Sequence, residues 1–92
     1  LVVVLGTRGD GPQDWLGAGR ALGRVLLTAT SDGLATSPLT QALEVPGIRA
    51  RLGQQLGLLG AIQLLLRVGH PASDQPAGAT ARRPLDDVLD WA

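Results

Sequence analysis

The chain has 92 residues, 45% of them hydrophobic, with no cysteine, one histidine and two tryptophans as its only aromatic residues, and its eight arginines balance eight acidic residues. That length supports one small domain at most, burying roughly 63% of the surface the unfolded chain exposes. Zero net charge and missing aromatic platforms argue against a general nucleic-acid role, the absence of cysteine and a lone His70 exclude thiolate or histidine-cluster metal sites, and no apolar run approaches the ~18 residues of a membrane span or the layout of a signal peptide, so the composition reads as soluble and cytoplasmic.

The first expected element is a strand over Leu1 to Leu5, five consecutive aliphatic residues that predict a strand covered on both faces. Because residue 1 is Leu and the chain opens inside this run, it reads as the C-terminal piece of a longer polypeptide. A loop from Gly6 to Gln13 follows, and Pro12 with Asp14 marks a helix start. The helix is expected from about residue 13 to 32. Trp15, Ala18, Leu22, Val25, Leu26 and Ala29 share one arc, and Leu16 with Leu27 form a second apolar patch, which predicts contacts on two sides. Gly17, Gly19 and Gly23 would each cost up to about 1 kcal/mol relative to Ala, a cost that close backbone approach would offset.

Gly33 occupies the usual C-terminal position of a helix. Residues Leu34 to Ser37 read as extended, with Ser37-Pro38 opening a brief helical turn through about Leu43. Pro46 opens a second helix with Ile48, Leu52 and Leu56 as its apolar face, ending around Gly57 to Gly60. The period then changes from helical to alternating: Ile62, Leu64, Leu66 and Val68 make the better-buried face of a strand that ends at Gly69. Residues 70–83 are rich in Pro, Ala, Gly, Ser and Thr and read as an extended segment, before Pro84 opens a short helix bearing Leu85, Val88 and Leu89. No internal repeat is apparent.

Few motifs carry chemistry. The glycines between Gly17 and Gly23 lie inside an apolar-periodic helix rather than in a strand-to-helix turn, so they do not make a dinucleotide loop. Arg8-Gly9-Asp10 spells an adhesion tripeptide but reads as a plain turn, and His70 has no Ser and Asp partners in a recognisable context. No general acid, base or nucleophile stands out. Two features are more informative. Arg82-Arg83 place two guanidinium forks in an acid-free stretch, either a phosphate clamp or a solvated basic turn. Ser37-Pro38-Leu39-Thr40-Gln41 offers backbone N–H groups at an expected helix start, either an anion or heteroatom site or a capped turn.

The runs Leu26-Leu27-Thr28-Ala29-Thr30-Ser31-Asp32-Gly33-Leu34-Ala35-Thr36-Ser37-Pro38-Leu39, Leu64-Leu65-Leu66-Arg67-Val68-Gly69 and Arg82-Arg83-Pro84-Leu85-Asp86-Asp87-Val88-Leu89 resemble, in order and spacing, the C-terminal part of flavin-dependent nitroreductases. The likeness covers nearly all of residues 1–92. It is closest to a bacterial subgroup of NAD(P)H nitroreductases in which two nitroreductase-like halves are fused. The resemblance implies an α+β fold of which this chain is one part, in the order strand, helix, turn, helix, strand, extended tail, short helix. It implies FMN at the interface of a homodimer or an internal pseudo-dimer, NAD(P)H as reductant and a small-molecule electron acceptor. By the same resemblance, Pro38, Leu39, Thr40 and Gln41 would lie beside the reactive edge of the flavin, and Arg83, with Arg82, would hold its phosphate. Thr40-Gln41 stand where many members carry an acid and a glycine, and the family's early arginine and serine cluster belongs to an N-terminal part absent from these 92 residues. The chain alone is therefore expected to be inactive. Two other readings stay open: a non-catalytic flavin-binding or flavin-sequestering protein on the same scaffold, and a cofactor-free helical interaction module.

Overall fold

The computed structural model describes residues 1–73 and 78–91. In chain order it contains strand β1 (Val2–Thr7), helix α1 (Pro12–Ser31), strand β2 (Ala35–Pro38), a 3-10 turn (Gln41–Leu43), helix α2 (Pro46–Gln55), strand β3 (Ala61–Gly69) and a second 3-10 turn (Leu85–Asp87). The three strands form one antiparallel sheet in the order β1-β3-β2. Fold class is α+β as expected, and compatible with part of a nitroreductase-like fold. Its two layers are thin: the principal extents are 46 × 43 × 22 Å, and the radius of gyration is 16.6 Å against about 12 Å for a compact domain of this length.

Helix α1 packs across all three strands. It begins where Asp14 accepts the Gly11 N–H at 3.0 Å, satisfying one of the donors left over at a helix start. It ends in a left-handed turn at Gly33, φ +72°, where the Gly33 N–H reaches the Thr30 carbonyl at 3.1 Å and the Leu34 N–H reaches Ala29 at 2.8 Å. That six-to-one pairing is a Schellman cap, and only glycine takes its conformation without strain. Helix α2 closes the same way at Gly57, φ +69°, with Leu58 bonded back to Gly53 at 2.9 Å.

The alternation in β3 is realised: Ile62 and Leu66 are the two fully buried large side chains, with Ala29 of α1 beside them in the core. Val3 faces Leu66 in register, and Thr36 faces Val68, so these residues share the face that α1 covers. On the other face, Val2 opposes Arg67 and Ser37 does so from the other side.

Several expectations need correction. β1 is an edge strand covered by α1 on one face, not an interior strand covered on two, and Leu1 and Val2 remain 87% and 55% exposed. Ser37-Pro38 does not open a helical turn. Pro38 is the last residue of β2, opposite Leu66, a position open to proline because an edge strand needs no N–H on its outer side; the 3-10 turn begins at Gln41 instead. Gly17, Gly19 and Gly23 meet nothing within 4 Å of where a Cβ would stand, so no close approach offsets their cost among the described residues. In α2 the inward positions are Arg49, Leu52 and Gly53, whereas Ile48 and Leu56 are each 48% exposed. The helix expected after Pro84 is a single 3-10 turn, because a segment that short gains stability only by packing, and among the described residues this one packs against no other element. Of the extended segment 70–83, the described residues carry no regular element, and 74–77 lie outside the described residues.

Candidate functional site

The densest polar cluster gathers residues from four parts of the chain. After β1 the chain turns sharply, with the Thr7 hydroxyl donating to the Gly9 carbonyl at 2.7 Å. The turn leaves the Asp10 carboxylate above the start of α1, where it accepts the Trp15 indole N–H at 2.8 Å. Arg49, projecting from α2, donates to both Asp10 oxygens, Nη1 at 2.8 Å and Nη2 at 3.1 Å, a fork-to-carboxylate pair. Its Nε donates to the Ile62 carbonyl at 2.7 Å, and Nη2 also reaches Gln63 Oε1 at 3.3 Å. Gln63 then donates through Nε2 to Thr7 Oγ1 at 2.9 Å and to Asp10 Oδ1 at 3.0 Å.

A β-bulge explains how Gln63 gets there. Leu5 pairs with Leu64 but Gly6 pairs with Ile62, so Gln63 is the extra residue of β3, and such an insertion bends the strand and re-aims its side chain. The hydrogen bonds from Arg49, then Trp15 and Gln63, hold the Asp10 carboxyl well below the usual carboxylate range. Every nitrogen of the Arg49 fork has an acceptor. The cluster is thus a closed clamp joining the β1–α1 turn to α2 and β3. It also answers the adhesion reading of Arg8-Gly9-Asp10, since the aspartate that such recognition needs is already committed to Arg49.

The residues expected from sequence occupy two other places. Pro38 ends β2 at the sheet edge, and Leu39 N–H donates to the Leu65 carbonyl at 2.9 Å, so one of the turn's expected N–H groups is already used. Thr40 and Gln41 then open the 3-10 turn. Arg82 and Arg83 lie exposed in the tail, where Arg83 Nη2 donates to the Asp87 carbonyl at 3.2 Å. Donor types in both places suit a flavin mononucleotide: peptide N–H groups for the ring, guanidinium forks for the phosphate. Among the described residues they are not gathered into one site, because the 3-10 turn that follows Arg83 touches no other element there.

Sequence reasoning missed the clamp. Asp10 was read as part of a plain turn, Trp15 as apolar surface, and Arg49 and Gln63 carried no signal, since their convergence depends on pairings up to 56 residues apart.

No family model matches the chain, and no solved structure matches it. Similarity to proteins of Mycobacterium tuberculosis is extensive. The chain is 42% identical over 92 residues to "Putative NAD(P)H nitroreductase Rv3131", an alignment covering 98% of this chain and 27% of that protein. It is 40% identical over 89 residues to "Putative NAD(P)H nitroreductase acg", covering 96% and 27%, and 40% identical over 90 residues to "Uncharacterized protein Rv3127", covering 96% and 26%. The chain is nitroreductase-like in sequence along nearly its whole length, and it spans about a quarter of the length of the curated relatives it matches.

Proposed function

We propose that these 92 residues are part of one domain of an FMN-binding, NAD(P)H-dependent oxidoreductase of the nitroreductase type, acting on nitroaromatic or quinone-type acceptors, and that the chain is inactive by itself. The observation that carries this reading is the 40–42% identity, along nearly all of the chain, to proteins named as NAD(P)H nitroreductases. Two structural features support it. Leu16 and Leu27 of α1 are 71% and 74% exposed, as expected of a helix whose second apolar side meets another half or subunit. The phosphate-type and ring-type donors sit in separate parts of the chain, as expected when the remaining walls of a site come from elsewhere.

Flavin, when bound, supplies hydride acceptance from NAD(P)H and electron transfer onward to the acceptor. In this reading the chain's own contribution is positional. The backbone at Leu39, Thr40 and Gln41 lies against the ring edge, with Pro38 fixing the entry of the turn, and Arg83, seconded by Arg82, holds the phosphate. The test is to purify the intact protein and record visible flavin absorbance, then NAD(P)H oxidation with and without a nitroaromatic. A colourless protein that takes up no added FMN would defeat the proposal.

A second reading rests on Thr40-Gln41, which stand where many nitroreductases carry an acid and a glycine: the same scaffold sequesters flavin without turning over. Bound flavin with no NAD(P)H oxidation would select it.

A further inference from the structure

The sheet face opposite α1 carries a cleft of about 310 Å³ lined by Ser37, Arg67, Gly69 and His70 among others. Its geometry follows from the strand register. Ser37 pairs with Arg67, and Ala35 pairs with Gly69, so all four residues point to one face. The Ala35 and Gly69 pair brings almost no side chain to that face, and a Cβ built on Gly69 would meet nothing within 4 Å. A hollow therefore opens between Arg67 and the chain just after β3 at His70-Pro71.

The lining is one-sided in chemistry. Arg67 supplies a planar fork of donors, Ser37 a hydroxyl and His70 a ring N–H, while no acidic residue lines the cleft among the described residues. Arg67 is also unlike Arg49. Arg49 is fully committed to Asp10, Gln63 and the Ile62 carbonyl, whereas Arg67 makes no hydrogen bond or ion pair among the described residues. An uncommitted guanidinium beside an empty floor and two further donors is matched by a compact oxyanion with several acceptor oxygens.

We propose that this cleft binds a phosphate group, with Arg67 as its principal ligand and Ser37 and His70 as additional donors. The site lies in β2, β3 and the chain just after β3, apart from the Arg82-Arg83 pair and the Pro38–Gln41 turn, so it stands or falls separately from the flavin reading.

The experiment titrates inorganic phosphate into the ¹⁵N-labelled intact protein at fixed pH and ionic strength, following backbone amide shifts. Saturable shifts at Arg67, Gly69 and His70 are expected. Arg67→Gln should weaken the apparent affinity about tenfold, the effect of removing a partly solvated charge-assisted bond, and Gly69→Val should do the same by filling the floor while leaving every donor in place. Either variant suffices provided that its amide spectrum elsewhere overlays the wild type. No saturable shift, an equal response in the folded variants, or an equal response to acetate at the same ionic strength would overturn the proposal.

Discussion

Arg49 and Asp10, 39 residues apart in sequence, meet through two N–H···O bonds of 2.8 and 3.1 Å, one to each carboxylate oxygen. This pair fastens α2 to the turn that launches α1, and Gln63 and Trp15 complete the ring around the carboxylate. Lysine at position 49 would keep the charge but could serve only one or two of these acceptors, because a point charge lacks the fork and has no Nε to reach Ile62. Arg49→Lys is therefore expected to lower the melting temperature nearly as much as Arg49→Ala, whereas Arg20→Ala, on the exposed side of α1, leaves it unchanged. Thermal melts followed by circular dichroism compare the three.

The same clamp sets a pH dependence. Asp10 has a folded-state pKa depressed below its unfolded value of about 3.9, so its contribution is fully present above that value and is lost as pH falls through the folded one. The gap in denaturant midpoint between wild type and Asp10→Asn should stay constant from about pH 8 to about pH 5 and narrow below about pH 4. A gap that widens on acidification would refute this assignment of the carboxylate.

Gly60 and Gly19 should respond oppositely to alanine. A Cβ on Gly60 would overlap the Thr7 carbonyl oxygen and stand 2.9 Å from its carbon, and both belong to backbone that cannot swing aside. Gly60→Ala is expected to cost about 1–3 kcal/mol, the usual range for overpacking. Gly19 meets nothing within 4 Å, so in the isolated chain Gly19→Ala should raise helicity, in line with the ~1 kcal/mol propensity difference. If another half or subunit covers α1, the same substitution should destabilise the intact protein.

The exposed pair Leu16 and Leu27 predicts self-association of the isolated chain. With Ala29, Ile62 and Leu66 as the buried hydrophobic core among the described residues, the apolar side left on α1 is large relative to what the fold covers. Double substitution by Glu should convert the oligomers to monomers in sedimentation velocity, whereas in the intact protein it should weaken folding or assembly. A wild-type chain that stays monomeric at high concentration would contradict this.

Arg83→Ala should weaken FMN binding by the intact protein about 10- to 150-fold, the equivalent of one charge-assisted contact of roughly 1.5 to 3 kcal/mol. Arg83→Lys should recover part of the loss. Fluorescence titration of the apoprotein with FMN measures both, and affinities within about twofold of wild type would match an unpaired surface charge instead.

What the sequence made legible was local. Helix starts at Pro12 and Pro46 and stops at Gly33 and near Gly57 depend on residues within one turn of each other, and the change of period at Ala61 marks β3 without reference to anything distant. The Asp10 clamp and the bulge at Gln63 were hidden because each exists only once β1, α2 and β3 are in register. Position 49 illustrates this best: the apolar spacing of Ile48, Leu52 and Leu56 says nothing of Arg49, yet α2 turns that side inward, where the guanidinium finds four acceptors. Of the residues expected at a flavin, the sequence singled out Pro38 to Gln41 and the tail arginines, but did not show that Pro38 ends β2 or that Leu39 spends its N–H on Leu65.

The sheet order β1-β3-β2 has a consequence for how the chain acquires this structure. β1 and β2 are not neighbours, and each bonds only to β3, the last strand in sequence. Within these 92 residues, β1 and β2 have no partner until residues 61–69 are available, and α1, though able to form locally, has no sheet of this chain to lie on. Every ladder within these residues closes a long loop, which slows folding, and β1 meets its partner in this chain only after some sixty further residues. A strand edge left waiting in this way invites wrong partners, and within these residues both outer strands find their places only when β3 arrives to occupy the centre.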